Sequence, residues 1–79
     1  MNKINLVQLK AGQKGTIVCI DGAEAFAKRL SVMGMGIDKS VVKLSAFVLR
    51  GPVAIRVGRT VIALGYGMAA KVWVQLEKK

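Results

Sequence analysis

Side chains able to do chemistry are scarce in this chain. It has no histidine, so the usual general base and the commonest metal ligand are missing. The acids are Asp21, Glu24, Asp38 and Glu77. Asp21 and Glu24 stand at the spacing of a helix capping box, which gives both a structural use. No Ser/His/Asp or Cys/His nucleophile can be assembled, so no catalytic residue is assigned and no enzymatic activity is expected. A zinc site takes about four nitrogen or sulfur ligands, and Cys19 is the one thiol. Cys19 lies within a strand and reads as a small hydrophobe rather than a reactive thiol. Hard cations need several converging oxygens, which so few acids do not supply. Met33 and Met35 could offer thioethers to copper(I). Met33 falls on an apolar helical stripe, so packing is the better reading. The residues therefore point to no metal and no cofactor.

One nucleotide-like pattern has to be set aside. Gly65-x-Gly67-x-x-Ala70 matches G-x-G-x-x-A. That fingerprint belongs to a βαβ unit of about 30 residues, with an acid about 20 residues further on. Here Lys71–Leu76 reads as a strand directly after Ala70 and leaves no place for the helix. The glycines read as loop punctuation.

The charge is more informative. It is +9, from 13 Lys and Arg against 4 Asp and Glu. Such a field draws the chain to nucleic acid, an anionic membrane leaflet or an acidic protein surface. It also keeps an oily domain soluble. Single-strand binders stack bases on several aromatic side chains. The aromatics here are Phe26, Phe47, Tyr66 and Trp73. Phe26 belongs with the core, which leaves Tyr66 and Trp73. Trp73 could stack a base, lie against the helix or sit in a protein interface, where Trp is enriched.

The elements that must position these residues are short. The 79 residues make a single domain, 1–79, near the lower limit of unaided folding. A lone cysteine and the polar start Met1-Asn2-Lys3-Ile4-Asn5 fit a reducing cytosol. No apolar run nears the roughly 18 residues of a membrane span. A hydrophobic fraction of 53% in so small a domain implies a dense core, an exposed contact patch, or both.

Gly15–Ile20 has strong strand propensity. A helix is expected over about 22–33, capped by Asp21, with Glu24 and Lys28 as an i,i+4 pair. Phe26, Leu30 and Met33 share its apolar face at i, i+4 and i+7. Gly34 suits the left-handed position that closes a helix. Val41–Leu49 is a second strand, with Ala46–Leu49 buried on both faces or bulged, and Arg50-Gly51-Pro52 a turn. Val53–Val57 and Thr60–Leu64 form a hairpin about Gly58-Arg59, a Gly-X link that suits a type II′ turn. A helical turn follows over 65–70. Lys71–Leu76 is the last strand, with Val72, Val74 and Leu76 inward and Lys71, Trp73 and Gln75 outward. The fold class is mainly β: a small SH3-like five-stranded barrel, with one short helix after the first strand and a helical turn before the last.

The residues that carry these elements resemble the FeoA family. The matching pieces are Leu9…Gly12…Gly15-Thr16-Ile17…Ile20 and Arg29-Leu30…Met33-Gly34…Gly36-Ile37. Gly51-Pro52-Val53-Ala54-Ile55-Arg56-Val57-Gly58, Ile62-Ala63-Leu64, Ala69-Ala70 and Val72…Val74 continue it. Family members often carry glycine after Met-Gly-Ile, where this chain has Asp38. Their connector before the last strand is usually charged, whereas Gly65-Tyr66-Gly67-Met68 is nearly apolar.

The resemblance implies an SH3-like barrel and a non-catalytic accessory role in bacterial ferrous iron uptake. Its partner would be the cytosolic part of FeoB, the membrane ferrous transporter. It places the chain in the cytoplasm, where the basic surface could meet the inner membrane. The docking edge is expected at the helix end and its exit loop. There Lys28 and Arg29 steer and Met35 and Ile37 give apolar contact, while Phe26, Leu30, Met33 and Gly34 are structural. The plain alternative is that all four contact residues only cover the barrel. Self-association through exposed strand edges is a further expectation. The alternative function is an SH3-like nucleic-acid-binding protein.

Overall fold

A computed structural model describes residues 3–46 and 51–77. Among the described residues are six strands and two short helices, one helix after the second strand and one before the last. They are β1 (Lys3–Asn5), β2 (Lys14–Ile20), α1 (Glu24–Val32), β3 (Ser40–Ala46), β4 (Val53–Val57), β5 (Thr60–Leu64), α2 (Tyr66–Ala69) and β6 (Val72–Leu76). One sheet holds all the strands in the order β1-β6-β2-β3-β4-β5, with every neighbouring pair antiparallel. The five strands expected from sequence are present, and β1 adds a sixth, so α1 follows the second strand rather than the first. A three-residue strand is too short to display the alternation that reveals a strand.

Alternation decides which side each residue faces. Ile17, Val41, Val53, Ile55, Leu64, Val72 and Val74 are buried on the inner side. Leu6 and Leu9 plug the core from the turn after β1, and Leu30 and Ala69 from the two helices. Leu76, expected inward, is 37% exposed at the end of its strand. The register of β3 against β4 shifts between Lys43 and Ser45, a bulge earlier than the one expected at Ala46–Leu49. Residues 47–50 lie outside the described residues, and with them most of that expected bulge and the start of the Arg50-Gly51-Pro52 turn.

The β4–β5 hairpin closes with Val57 opposite Thr60. Gly58 has φ +61°, while Arg59 keeps an ordinary negative φ, as a type II′ turn demands.

Helix α1 starts later than the spacing suggested. Its N-cap is Ala23, with no side-chain cap, so the Asp21–Glu24 capping box does not form. Its far end is a Schellman motif. Gly34 takes φ +92°. The Gly34 N–H donates to the Ser31 carbonyl at 3.0 Å, and the Met35 N–H donates to the Leu30 carbonyl at 2.8 Å. The motif folds Met35 back beside Leu30, and both side chains are fully buried. Met33, at the C-cap, is 38% exposed. Met35, expected as a contact, is thus buried, and Met33, expected on the core face, lies partly in solvent. Helical spacing stops at Val32, and the left-handed glycine reverses the chain beyond it.

Asp38 has φ +73°. Asp is among the few side chains that tolerate the left-handed region.

Candidate functional site

α1, its exit loop and Ile20 at the end of β2 border an open groove of about 800 Å³, whose lining includes Ala27, Lys28, Ser31 and Ile37. One wall is the helix face beside the Phe26–Leu30 core stripe. The other is the exit loop after the Schellman motif. Ile37 is 52% exposed, so an apolar side chain faces water at the groove's rim. Lys28 brings a cation to the same groove, and Glu24 one carboxylate. Glu24 and Lys28 do not form the expected i,i+4 ion pair. Among the described residues the ion pair present is Lys14–Glu77, at 3.9 Å.

Two of the four expected contact residues, Lys28 and Ile37, therefore line one groove. Arg29 is exposed in the last turn of α1, where a cation is favoured by the helix dipole, but outside the groove lining. Met35 is corrected. It is wholly buried against the core and cannot offer a contact to a partner. Of the residues expected to be structural, Leu30 is buried, Phe26 packs half-buried on the core and Gly34 makes the left-handed turn. Met33 is corrected with Met35, because it lies partly in solvent.

The base-stacking candidate Trp73 is half-buried and held in place. Its indole N–H donates to Asp21 Oδ2 at 2.8 Å, and Lys3 Nζ stands 5.6 Å from the ring centre. Cys19 Sγ lies 3.8 Å from Asp21 Oδ1, so the thiol shares that carboxylate.

Sequence reasoning missed two polar sites. Lys43 is only 3% exposed, and its ammonium donates to the carbonyls of Leu6 and Val7, each at 2.9 Å. Burial pushes its pKa down from the ordinary lysine value. A lysine alternating in phase with Val41 was the available signal. The second is Glu77, whose carboxylate accepts hydrogen bonds from Ser40 and, at 2.8 Å, from Thr16. Those hydroxyls, and after them Lys14, hold its pKa below the usual glutamate value against an opposing desolvation. The pairing joins β2, β3 and the residue after β6, which are distant in sequence.

The fold and this arrangement of α1 on the sheet match a known domain. The FeoA domain family model matches residues 4–76. The chain belongs to the FeoA family. An iron uptake regulatory protein (FeoA) superposes with a TM-score of 0.85 at 28% identity, over 98% of this chain and 100% of that one. FeoA of Stenotrophomonas maltophilia complexed with zinc, an SH3 domain protein, gives 0.76 at 22% identity, over 91% and 89%. A manganese-dependent transcriptional repressor gives 0.85 at 18% identity, over 95% of this chain but 42% of its own length, and so shares the fold of one part. A comparison with curated proteins gives no match. The FeoA-like chain is accordingly an SH3-like domain, mainly β, as the order of its elements implied.

Metal-bound relatives prompt a test of the donor set. Among the described residues no three His, Cys, Asp or Glu side chains converge. Cys19 stands beside Asp21, and the further polar group on that carboxylate is the indole of Trp73, not a ligand. Among the described residues the donor set does not supply the four nitrogen or sulfur ligands of a zinc site or the several oxygens of a hard-cation site.

Proposed function

We propose that this FeoA-family chain is a non-catalytic accessory of bacterial ferrous iron uptake, docking on the cytosolic part of a FeoB-type transporter. The observation that carries the reading is the family match over 4–76. The description of a structural relative as an iron uptake regulatory protein supports it. The α1 groove is the docking edge. Ile37 supplies exposed apolar surface, Lys28 lies in the same groove and Arg29 beside it. The net charge of +9 favours an acidic partner surface beside an anionic leaflet. No described helix is long and apolar enough to cross a membrane, so the transporter supplies the membrane anchor in this reading.

Co-purification tests it. The tagged chain, co-expressed with a FeoB-type transporter from the same genome, is expected to retain that transporter. Lys28→Glu with Arg29→Glu is expected to weaken retention about tenfold with melting unchanged. Retention by the double variant equal to the parent would move the docking edge elsewhere. Failure of the parent chain to retain the transporter would sink the reading itself.

A further inference from the structure

The sheet has two ends, β1 and β5, which do not pair with each other. The β1 edge is guarded in the usual ways, being three residues long and carrying Lys3. The β5 edge is not. Thr60-Val61-Ile62-Ala63-Leu64 contains no charge, proline or glycine, and its register against β4 runs without a bulge.

The hairpin fixes which backbone groups that edge offers. A two-residue turn is closed by a hydrogen-bonded pair, here Val57 with Thr60, and such pairs recur at every second position. Ile55–Ile62 and Val53–Leu64 are therefore bonded pairs. Val61 and Ala63 point their N–H and C=O groups away from β4. Among the described residues no further hydrogen bond reaches those groups.

The side chains beside this edge set the partner's pattern. On the inner side Ile62 is half-buried, with apolar surface still to cover. On the outer side Lys14, Val42, Arg56 and Val61 stand in register across four strands. Lys14, Arg56 and Val61 are exposed in that row, and Arg59 is exposed at the hairpin tip. Two guanidiniums thus flank the free edge, and no described carboxylate answers them.

We infer that β5 accepts an added strand from an acidic partner protein, an extended segment alternating apolar and carboxylate side chains. Its backbone pairs with Val61 and Ala63. Its apolar residues extend the core over Ile62, and its carboxylates face Arg56 and Arg59. A second copy of the chain fits less well, because pairing β5 with itself brings two +9 molecules and their arginines together. The surface lies on the β4–β5 hairpin and involves none of the residues lining the α1 groove, so it stands independently of that docking edge.

The test uses the full chain labelled with nitrogen-15 and two end-blocked octapeptides. One alternates valine and glutamate, the other valine and lysine. Saturating Val/Glu peptide is expected to slow hydrogen exchange at the Val61 and Ala63 amides by about tenfold or more, and to bind about tenfold tighter than Val/Lys. Val61→Pro removes an outward N–H without touching the β4 ladder, so melting is retained and binding falls about tenfold. Arg56→Glu with Arg59→Glu, both at exposed positions, is expected to reverse the preference between the peptides. Unprotected Val61 and Ala63 amides at millimolar Val/Glu peptide, or equal binding of both peptides, overturn the proposal. Protection that grows with protein concentration in the absence of peptide also overturns it, assigning the edge to a second copy.

Discussion

The indole N–H of Trp73 donates to the carboxylate of Asp21 at 2.8 Å. This bond ties the start of β6 to the turn that leads into α1. The same turn is held by a main-chain bond, the Asp21 N–H donating to the Lys71 carbonyl at 2.8 Å. Asp21 is thus an anchor for the helix entrance rather than a helix cap.

Removing either partner should loosen that entrance. Trp73→Phe and Asp21→Ala are each expected to lower stability by about 1 kcal/mol, since the bond is charge-assisted but solvent-accessible. The double variant should cost less than the sum of the two. A coupling of about 0.5 kcal/mol or more in urea unfolding identifies the bond as the cause.

The two methionines should behave oppositely to their helical spacing. Met35 is fully buried and Met33 is 38% exposed. Met35→Ala is expected to cost about 2–4 kcal/mol through the cavity it leaves. Met33→Ala should cost well under about 1 kcal/mol. Chemical denaturation of the two variants side by side checks this, and equal losses would contradict the Schellman geometry.

Lys43 is a buried ammonium satisfying two carbonyls of the Leu6–Leu9 turn. Lys43→Met keeps much of the stem and removes the donors. The Leu6 and Val7 carbonyls then lose their side-chain partner, at a cost of about 2 kcal/mol. Lys14→Ala, which breaks only an accessible 3.9 Å ion pair, should cost about 0.5 kcal/mol or less. Amide exchange should rise selectively around residues 6–9 in Lys43→Met.

Glu77 should make stability depend on pH. Hydrogen bonds from Ser40 and Thr16 lower its pKa in the folded state from the ordinary 4.5. A depressed folded pKa contributes stability that is fully present above the unfolded value and lost as pH falls through the folded one. Glu77→Gln should therefore melt below the parent at pH 7. The difference should close as pH drops below 4.5 towards the folded value. A difference constant with pH would mean that packing, not charge, is responsible.

Much of the fold is legible in local chemistry. The Val53–Val57 and Thr60–Leu64 strands follow from alternation, and their turn from the glycine at 58. Gly34 marks the end of α1, where the left-handed conformation excludes most side chains. Lys28 and Ile37 are identifiable as surface residues near one another because helix end and exit loop are adjacent in sequence.

Relations across the sheet were not legible. Asp21 and Glu24 have capping-box spacing, yet the carboxylate bonds Trp73 from a strand that arrives 52 residues later. Glu77 meets Thr16 and Ser40 only because β6 inserts beside β2 in the strand order. Lys43 is charged and reads as a surface residue until two carbonyls of a turn 37 and 36 residues earlier enclose it. By itself the sequence determined five of the six described strands, the hairpin, the end of α1 and the family resemblance, which rest on patterns along the chain. Tertiary structure alone decided which polar groups are satisfied, which methionine is buried and which sheet edge stays open. Those outcomes depend on contacts between segments that sequence spacing does not bring together.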